Sequence, residues 1–238
     1  MSKRATVSTI DTVKIKLRDI VLAAKEGDLL GSEEALISQL GVSRSTLRQV
    51  ARLLEREGLL RVRRGINGGY YGIRPDEKTI QQTVSAYLET LDMKYEDVTG
   101  VASVLWVEVL RRAASLNNEA ARKLAEHHRR KVLDVEPDAT FHEVAEVEQA
   151  AQEAIFDLVK SRYIQLIFHI NAAFSVGRFP LAAIRDGTPK HREFVRAWRE
   201  AKLMELGAIA DGDVELGMMS ARHMRNIWHR RFWAKNPG

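Results

Sequence analysis

Cysteine is absent from the 238 residues, which excludes disulfides, thiolate nucleophiles and cysteine-ligated zinc. The first residues, MSKRATVSTIDTVKIK, hold no apolar stretch of the kind a secretory signal needs. Long hydrophobic runs are missing too. The most apolar segment, Tyr163 to Phe174, is broken by Gln165, His169 and Asn171, and a membrane-spanning helix needs about 18 or more consecutive apolar residues. A cytoplasmic protein with no membrane partner is the expectation. Internal repeats and low-complexity tracts are also lacking. So are the motifs that announce an enzyme: no Gly-x-Ser-x-Gly elbow, no His-Glu-x-x-His helix, no paired carboxylates and no kinase set.

What is present is a soluble composition, 45% hydrophobic and 29% charged, with an uneven distribution of charge. Residues 1–76 carry 14 Lys+Arg against 9 Asp+Glu, whereas the remainder carries 23 of each. The whole net charge of +5 therefore sits in the first third, as expected where that third alone meets a polyanion. A polar segment, Arg74-Pro75-Asp76-Glu77-Lys78, divides the chain, with a proline unsuited to a helix interior. The expected domains are residues 1–75 and 79–238.

In the first, Ser32 suits a helix N-cap, Glu33 and Glu34 a first turn, and Gly41 a helix end. Ser43 then caps a second helix from Arg44 to Glu57, closed by Gly58. Its Leu47, Val50, Ala51 and Leu54 follow i, i+3, i+4, i+7 spacing and form one apolar stripe. Arg44, Ser45, Arg48 and Arg52 fall on the opposite side. Two helices about a glycine turn, the second rich in arginine and hydroxyls, make a helix-turn-helix. Arginine grips phosphate or takes guanine O6 and N7 together, and Ser or Thr suits phosphate oxygens. Alternating apolar and basic residues from Leu59 to Arg64, then Gly65-Ile66-Asn67-Gly68-Gly69 and Tyr70 to Ile73, read as a β-hairpin wing. The glycine-rich tip follows a helix and opens none, so it does not fit a nucleotide phosphate loop.

The segment Gly-Val-Ser-Arg-Ser-Thr-Leu-Arg at 41–48, with Leu54-Glu55-Arg56-Glu57-Gly58-Leu59-Leu60 and the wing, resembles the GntR family of bacterial regulators over roughly residues 10–75. The resemblance implies a homodimer reading double-stranded DNA at a pseudo-palindromic operator. It implies DNA contacts from Ser43, Arg44, Ser45, Thr46, Arg48, Arg64, Gly65 and Asn67. One position departs: Glu34 stands where many members place an arginine, and a carboxylate repels phosphate.

Beyond residue 75 no strand-like alternation appears. Ile80, Val84, Tyr87, Leu88 and Leu91 repeat at helical spacing, and Val101, Val104 and Leu105, with Glu108 and Arg111 in register, suggest the apolar face of the next helix. Further helices are expected over roughly 118–134, 139–159, 161–177, 190–207 and 213–232. The fold class is thus mostly α, a winged helix-turn-helix followed by an all-α bundle. This second part resembles the FadR-like effector domains of the same family, through Val176-Gly177-Arg178, Gly212-Asp213 and Ile227-Trp228-His229-Arg230.

Many such domains hold a divalent metal on an Asp and three His. Seven histidines are available: His127, His128, His142, His169, His191, His223 and His229. Asp138-x-x-Phe141-His142 has the family's look but lies too early in the chain. The segment Glu148 to Gln152, at the matching place, lacks the histidine. Surface or core histidines, and no cofactor, are the simpler expectation. The metal-free branch implies a small-molecule effector, an acyl-CoA or another carboxylate, although Met224 stands where a small hydroxyl residue would help hold it. His169, Asn171, Arg178, His223 and Trp228 are the candidate effector contacts. His169 and Asn171 are equally readable as satisfied core groups, and Trp228 as an ordinary core aromatic. The leading function is an effector-controlled transcription regulator, commonly a repressor. The alternatives are a ligand-independent architectural DNA binder and an enzyme with an accessory winged domain.

Overall fold

The computed structural model describes residues 9–65, 68–178 and 185–232. The chain divides into two compact units, residues 1–80 and 81–238.

The first unit contains α1 (Thr9–Ala23), β1 (Leu29–Gly31), α2 (Glu33–Leu40), α3 (Arg44–Arg56), β2 (Leu60–Arg63) and β3 (Gly69–Gly72). Local chemistry sets the helix ends. The Ser32 hydroxyl accepts from the Ala35 amide, and Gly41 ends α2 in the left-handed region at φ 66°, where only glycine escapes a steric penalty. Ser43 caps α3 by accepting from the Thr46 amide. Leu47, Val50, Ala51 and Leu54 are all buried, as their spacing predicts. They pack with Val13, Leu17 and Val21, which recur every fourth residue along α1, and with Leu36, Leu60 and Tyr70.

The wing is antiparallel, pairing Leu60 with Gly72 and Arg63 with Gly69. Periodicity did not predict a third strand. β1 is only three residues long and pairs with β3, giving the sheet order β1-β3-β2. Gly68 is fixed by space: a Cβ there would lie 2.7 Å from the carbonyl oxygens of Arg63 and Gly65. Gly68→Ala is therefore expected to distort the hairpin tip and weaken DNA binding while the helices keep their melting temperature. Circular dichroism with an anisotropy titration checks this.

Arg74, read from the sequence as part of a linker, caps α1 instead. Its guanidinium donates to the carbonyls of Val21 at 3.1 Å and Ala24 at 2.6 Å. The last turn of α1 has no basic residue of its own, and a cation there satisfies exposed carbonyls and opposes the helix dipole.

After α4 (Glu77–Glu89), which buries no residue fully, the second unit is built from α5 (Tyr95–Ser115), α6 (Glu119–Leu133), α7 (Phe141–Val159), α8 (Arg162–Arg178), α9 (Pro189–Asp211) and α10 (Val214–Phe232). Asn118, Thr140 and Thr188 cap α6, α7 and α9 through their side chains, and Thr140 forms a reciprocal capping box with Glu143. The helix expected near residues 101–111 exists, but its buried face differs. Val98, Ala102, Trp106, Val109, Leu110 and Ala113 are buried, whereas Val101 and Val104 are 47% and 69% exposed. Trp106 sets this rotation, because its ring packs against Phe156 and Phe168 at centroid distances of 5.8 and 5.7 Å. A large aromatic outweighs two valines in buried area. Among the described residues, no helix is long and apolar enough to cross a membrane.

Candidate nucleic-acid interface and ligand cavity

The N-terminus of α3 presents Ser43, Arg44 and Ser45 exposed, with Thr46 partly covered and Arg48 one turn further on, exposed. The Ser43 hydroxyl lies 2.9 Å from the Ser45 hydroxyl and 2.8 Å from that of Thr46. These three hydroxyls form one cluster at a helix N-terminus, a place that favours anions. Arg64 and Gly65 are exposed at the start of the wing tip. Asn67, also expected to contact DNA, lies outside the described residues. Between α3 and the wing runs a cleft of about 820 Å3, lined among others by Arg48, Arg52, Arg63, Arg64 and Tyr70. Glu55 ties the two walls together by accepting from the Val62 amide at 2.9 Å, and the Arg63 guanidinium stacks 4.6 Å from the Tyr71 ring centroid.

Sequence reading did not anticipate the role of Glu33. Its carboxylate forms an ion pair with Arg44, whose Nε lies 2.8 Å away, and accepts hydrogen bonds from Arg48 Nε at 2.9 Å and Nη2 at 3.1 Å and from the Tyr70 hydroxyl at 3.2 Å. Hydrogen bonding from Arg48 holds its carboxyl below the usual range, so it is ionised at neutral pH. Burial, with Glu33 nearby, pushes the Tyr70 hydroxyl up to about 12, so Tyr70 remains a donor. Among the described residues Glu34, the position that departs from the family pattern, reaches only Arg44, at 3.3 Å.

In the second unit a cavity of about 500 Å3 opens among α5, α7, α8 and α10. Phe168, His169, Asn171, Arg225 and Trp228 line it, with Glu148 and Gln152 from α7. Three candidate effector residues thus share one wall system. His169 Nε2 is 3.0 Å from a Glu153 carboxylate oxygen, and the Asn171 amide donates to its own helix at the Ile167 carbonyl, 2.8 Å away. The expectation for His223 needs correction, because it is exposed and not part of the cavity. At 100° per residue, the face of α10 that carries Arg225 and Trp228 turns His223 outward. Arg178 ends α8, and its side chain lies outside the described residues. Arg225 is the cavity cation that sequence reading missed.

Beside the cavity lies a buried charge cluster. Lys202, fully buried, donates to Glu148 at 3.0 Å and to Glu205 at 2.5 Å. Trp198 and Trp106 each donate an indole N–H to one of these carboxylates, Glu148 and Glu205 respectively, both at 2.7 Å. Burial drives the Glu205 carboxyl up. It would drive Lys202 down, but the two carboxylates outweigh it and keep the ammonium charged. Among the described residues no three His, Asp or Glu side chains converge as a metal-binding set. His142 is exposed and pairs with Glu146 at 3.3 Å, while His191 is buried against the Ala139 carbonyl at 2.8 Å.

Comparison with known proteins places the first unit. No curated protein sequence matches the chain. The GntR protein of Streptococcus agalactiae shares the fold, with a TM-score of 0.62 at 15% identity, over 93% of this chain and 99% of that one. The McbR/YncC protein of E. coli aligns over 94% of this chain and 99% of its own at 13% identity, with a TM-score of 0.41. Residues 9–67 match the family model described as bacterial regulatory proteins, gntR family. That match covers α1 to the wing tip, including the capped α3 with its exposed arginines. Residues 9–67 are therefore a DNA-binding domain of the gntR family of bacterial regulators.

Proposed function

We propose that the protein is a cytoplasmic transcription regulator, a repressor in the simplest case, that binds a pseudo-palindromic operator as a homodimer and releases it when a small carboxylate ligand occupies the helical unit. The observation that carries this reading is the 500 Å3 cavity in the same chain as the gntR-family DNA-binding domain. Phe168, Trp228 and four alanines give the cavity an apolar surface that suits an acyl or similar body, set among nine polar lining residues that include Glu148 and Glu153. Arg225 supplies one cation for a carboxylate or phosphate head, a common pattern in small-molecule sites. A ligand changes DNA affinity only if it binds one dimer geometry better than another.

In this reading Ser43, Arg44, Ser45, Thr46, Arg48, Arg64, Gly65 and Asn67 contact DNA. His169, Asn171, Arg225 and Trp228 contact the effector. The test is a thermal-shift screen of short- and long-chain carboxylates and their thioesters, followed by DNA binding with each hit. A hit at 100 times its Kd raises stability by about 2.7 kcal/mol. Ala172, an exposed residue at the cavity wall, provides a control. Ala172→Trp is expected to abolish the response to ligand while DNA binding persists. A panel that produces neither shift nor DNA release would sink the effector role and leave a ligand-independent DNA binder.

A further inference from the structure

We propose that Glu33 is a positioning residue for sequence reading, a carboxylate that aims the Arg48 guanidinium at a base edge; this rests on the regulator reading above. Arg48 meets Glu33 side-on, with Nε on one carboxylate oxygen at 2.9 Å and Nη2 on the other at 3.1 Å. A guanidinium has five N–H donors in a rigid plane. Side-on pairing uses two and leaves the Nη1/Nη2 edge facing away from the carboxylate. That edge carries the two parallel donors that match guanine O6 and N7.

Glu33 is itself held. Its side chain is 20% exposed, and the Tyr70 hydroxyl, from β3, donates at 3.2 Å to Oε2, the same oxygen that accepts from Arg48 Nε. The chain of contacts runs from the wing strand through Tyr70 and Glu33 to the recognition helix. A long arginine that is free in solution loses rotamer freedom on binding, and a braced one loses less. Glu34 is 74% exposed and among the described residues reaches Arg44 alone.

A rival role for Glu33 is simple masking, in which a negative charge occupies the arginines and weakens all DNA binding alike. The two roles predict opposite results. The experiment starts with the full-length protein and a pool of duplexes with a randomised core. Wild type selects its site, and binding is then measured to the enriched duplex and to a scrambled duplex of the same composition. Under the positioning role, Glu33→Gln lowers affinity for the enriched duplex about tenfold. Affinity for the scrambled duplex holds or rises, since a repulsive charge is gone. The ratio of the two affinities falls.

Tyr70→Phe keeps the charge and removes only the brace, so it is expected to lower the same ratio by a smaller factor, about threefold. Its melting temperature, read alongside, separates loss of specificity from loss of fold. Tighter binding of Glu33→Gln to both duplexes, with an unchanged ratio, would overturn the proposal in favour of masking. An unchanged ratio in both variants would overturn it as well while leaving the regulator reading intact. Failure of wild type to enrich any sequence would remove both readings together.

Discussion

Arg48→Ala is expected to weaken binding to the selected operator by about one to two orders of magnitude, since a bidentate arginine contributes about 1–3 kcal/mol of discrimination. Arg44→Ala is expected to fall in the same range, with the fold intact. Both side chains are 58% exposed and project from α3 away from its apolar stripe, so truncation leaves the core packing untouched. Arg48→Lys would not rescue, because an ammonium cannot hold Glu33 side-on and offer a parallel pair of donors to a base. The salt dependence separates two uses of each arginine. If the side chain grips a phosphate, its removal lowers the slope of log K against log salt by about one. If it reads a base, the slope stays nearly unchanged. Affinity unchanged in both variants would refute the assignment of α3 as the reading helix.

The second large effect lies in the helical unit. Lys202→Ala leaves Glu148 and Glu205 facing each other in the core with no cation between them. Removing one partner from a buried ionic cluster costs about 3–5 kcal/mol, a large share of the 5–15 kcal/mol typical of whole proteins. Chemical denaturation should show the second unit melting first in this variant. Its pH dependence has a defined sign. Burial already raises the Glu205 carboxyl, and loss of the ammonium raises it further. A carboxyl with a folded pKa above its unfolded value binds its proton more tightly when folded, so stability falls as pH rises between the two values. The variant should therefore be more stable at pH 5 than at pH 8. Replacing Lys202, Glu148 and Glu205 together by Met, Gln and Gln should recover most of the loss, because neutral groups of similar volume need no counter-charge.

Both effects bear on what the sequence makes legible. The caps at Ser32 and Ser43, the left-handed glycine at Gly41 and the stripe Leu47-Val50-Ala51-Leu54 are local, set by spacings of a few residues, and each was readable in advance. The same holds for the hairpin and for the approximate helix spans beyond residue 118. Features made by distant residues were not readable. Glu33 meets Arg48 and Tyr70 across 15 and 37 positions, Arg74 caps α1 across about 50, and Lys202 meets Glu148 across 54. No periodicity encodes such pairs. In α5, valines at helical spacing suggested one buried face and the larger Trp106 turned another inward. Of the residues lining the cavity, His169 and Asn171 stand out in the sequence as polar residues on an apolar helix, and Trp228 through the resemblance of Ile227-Trp228-His229-Arg230 to the family. Arg225 was hidden in an ordinary basic stretch.

The placement of the tryptophans makes the two units optically distinct. All four lie beyond residue 80, while the DNA-binding domain has only tyrosines such as Tyr70 and Tyr71. Trp106 and Trp198 donate to carboxylates beside a buried ammonium, so their emission senses the electric field of that cluster. Trp228 stands in the cavity wall. Excitation at the red edge of the indole band therefore gives an intrinsic dye for the helical unit alone. A ligand entering the cavity would register directly, whereas unfolding confined to the winged unit would leave the signal silent and appear only in circular dichroism.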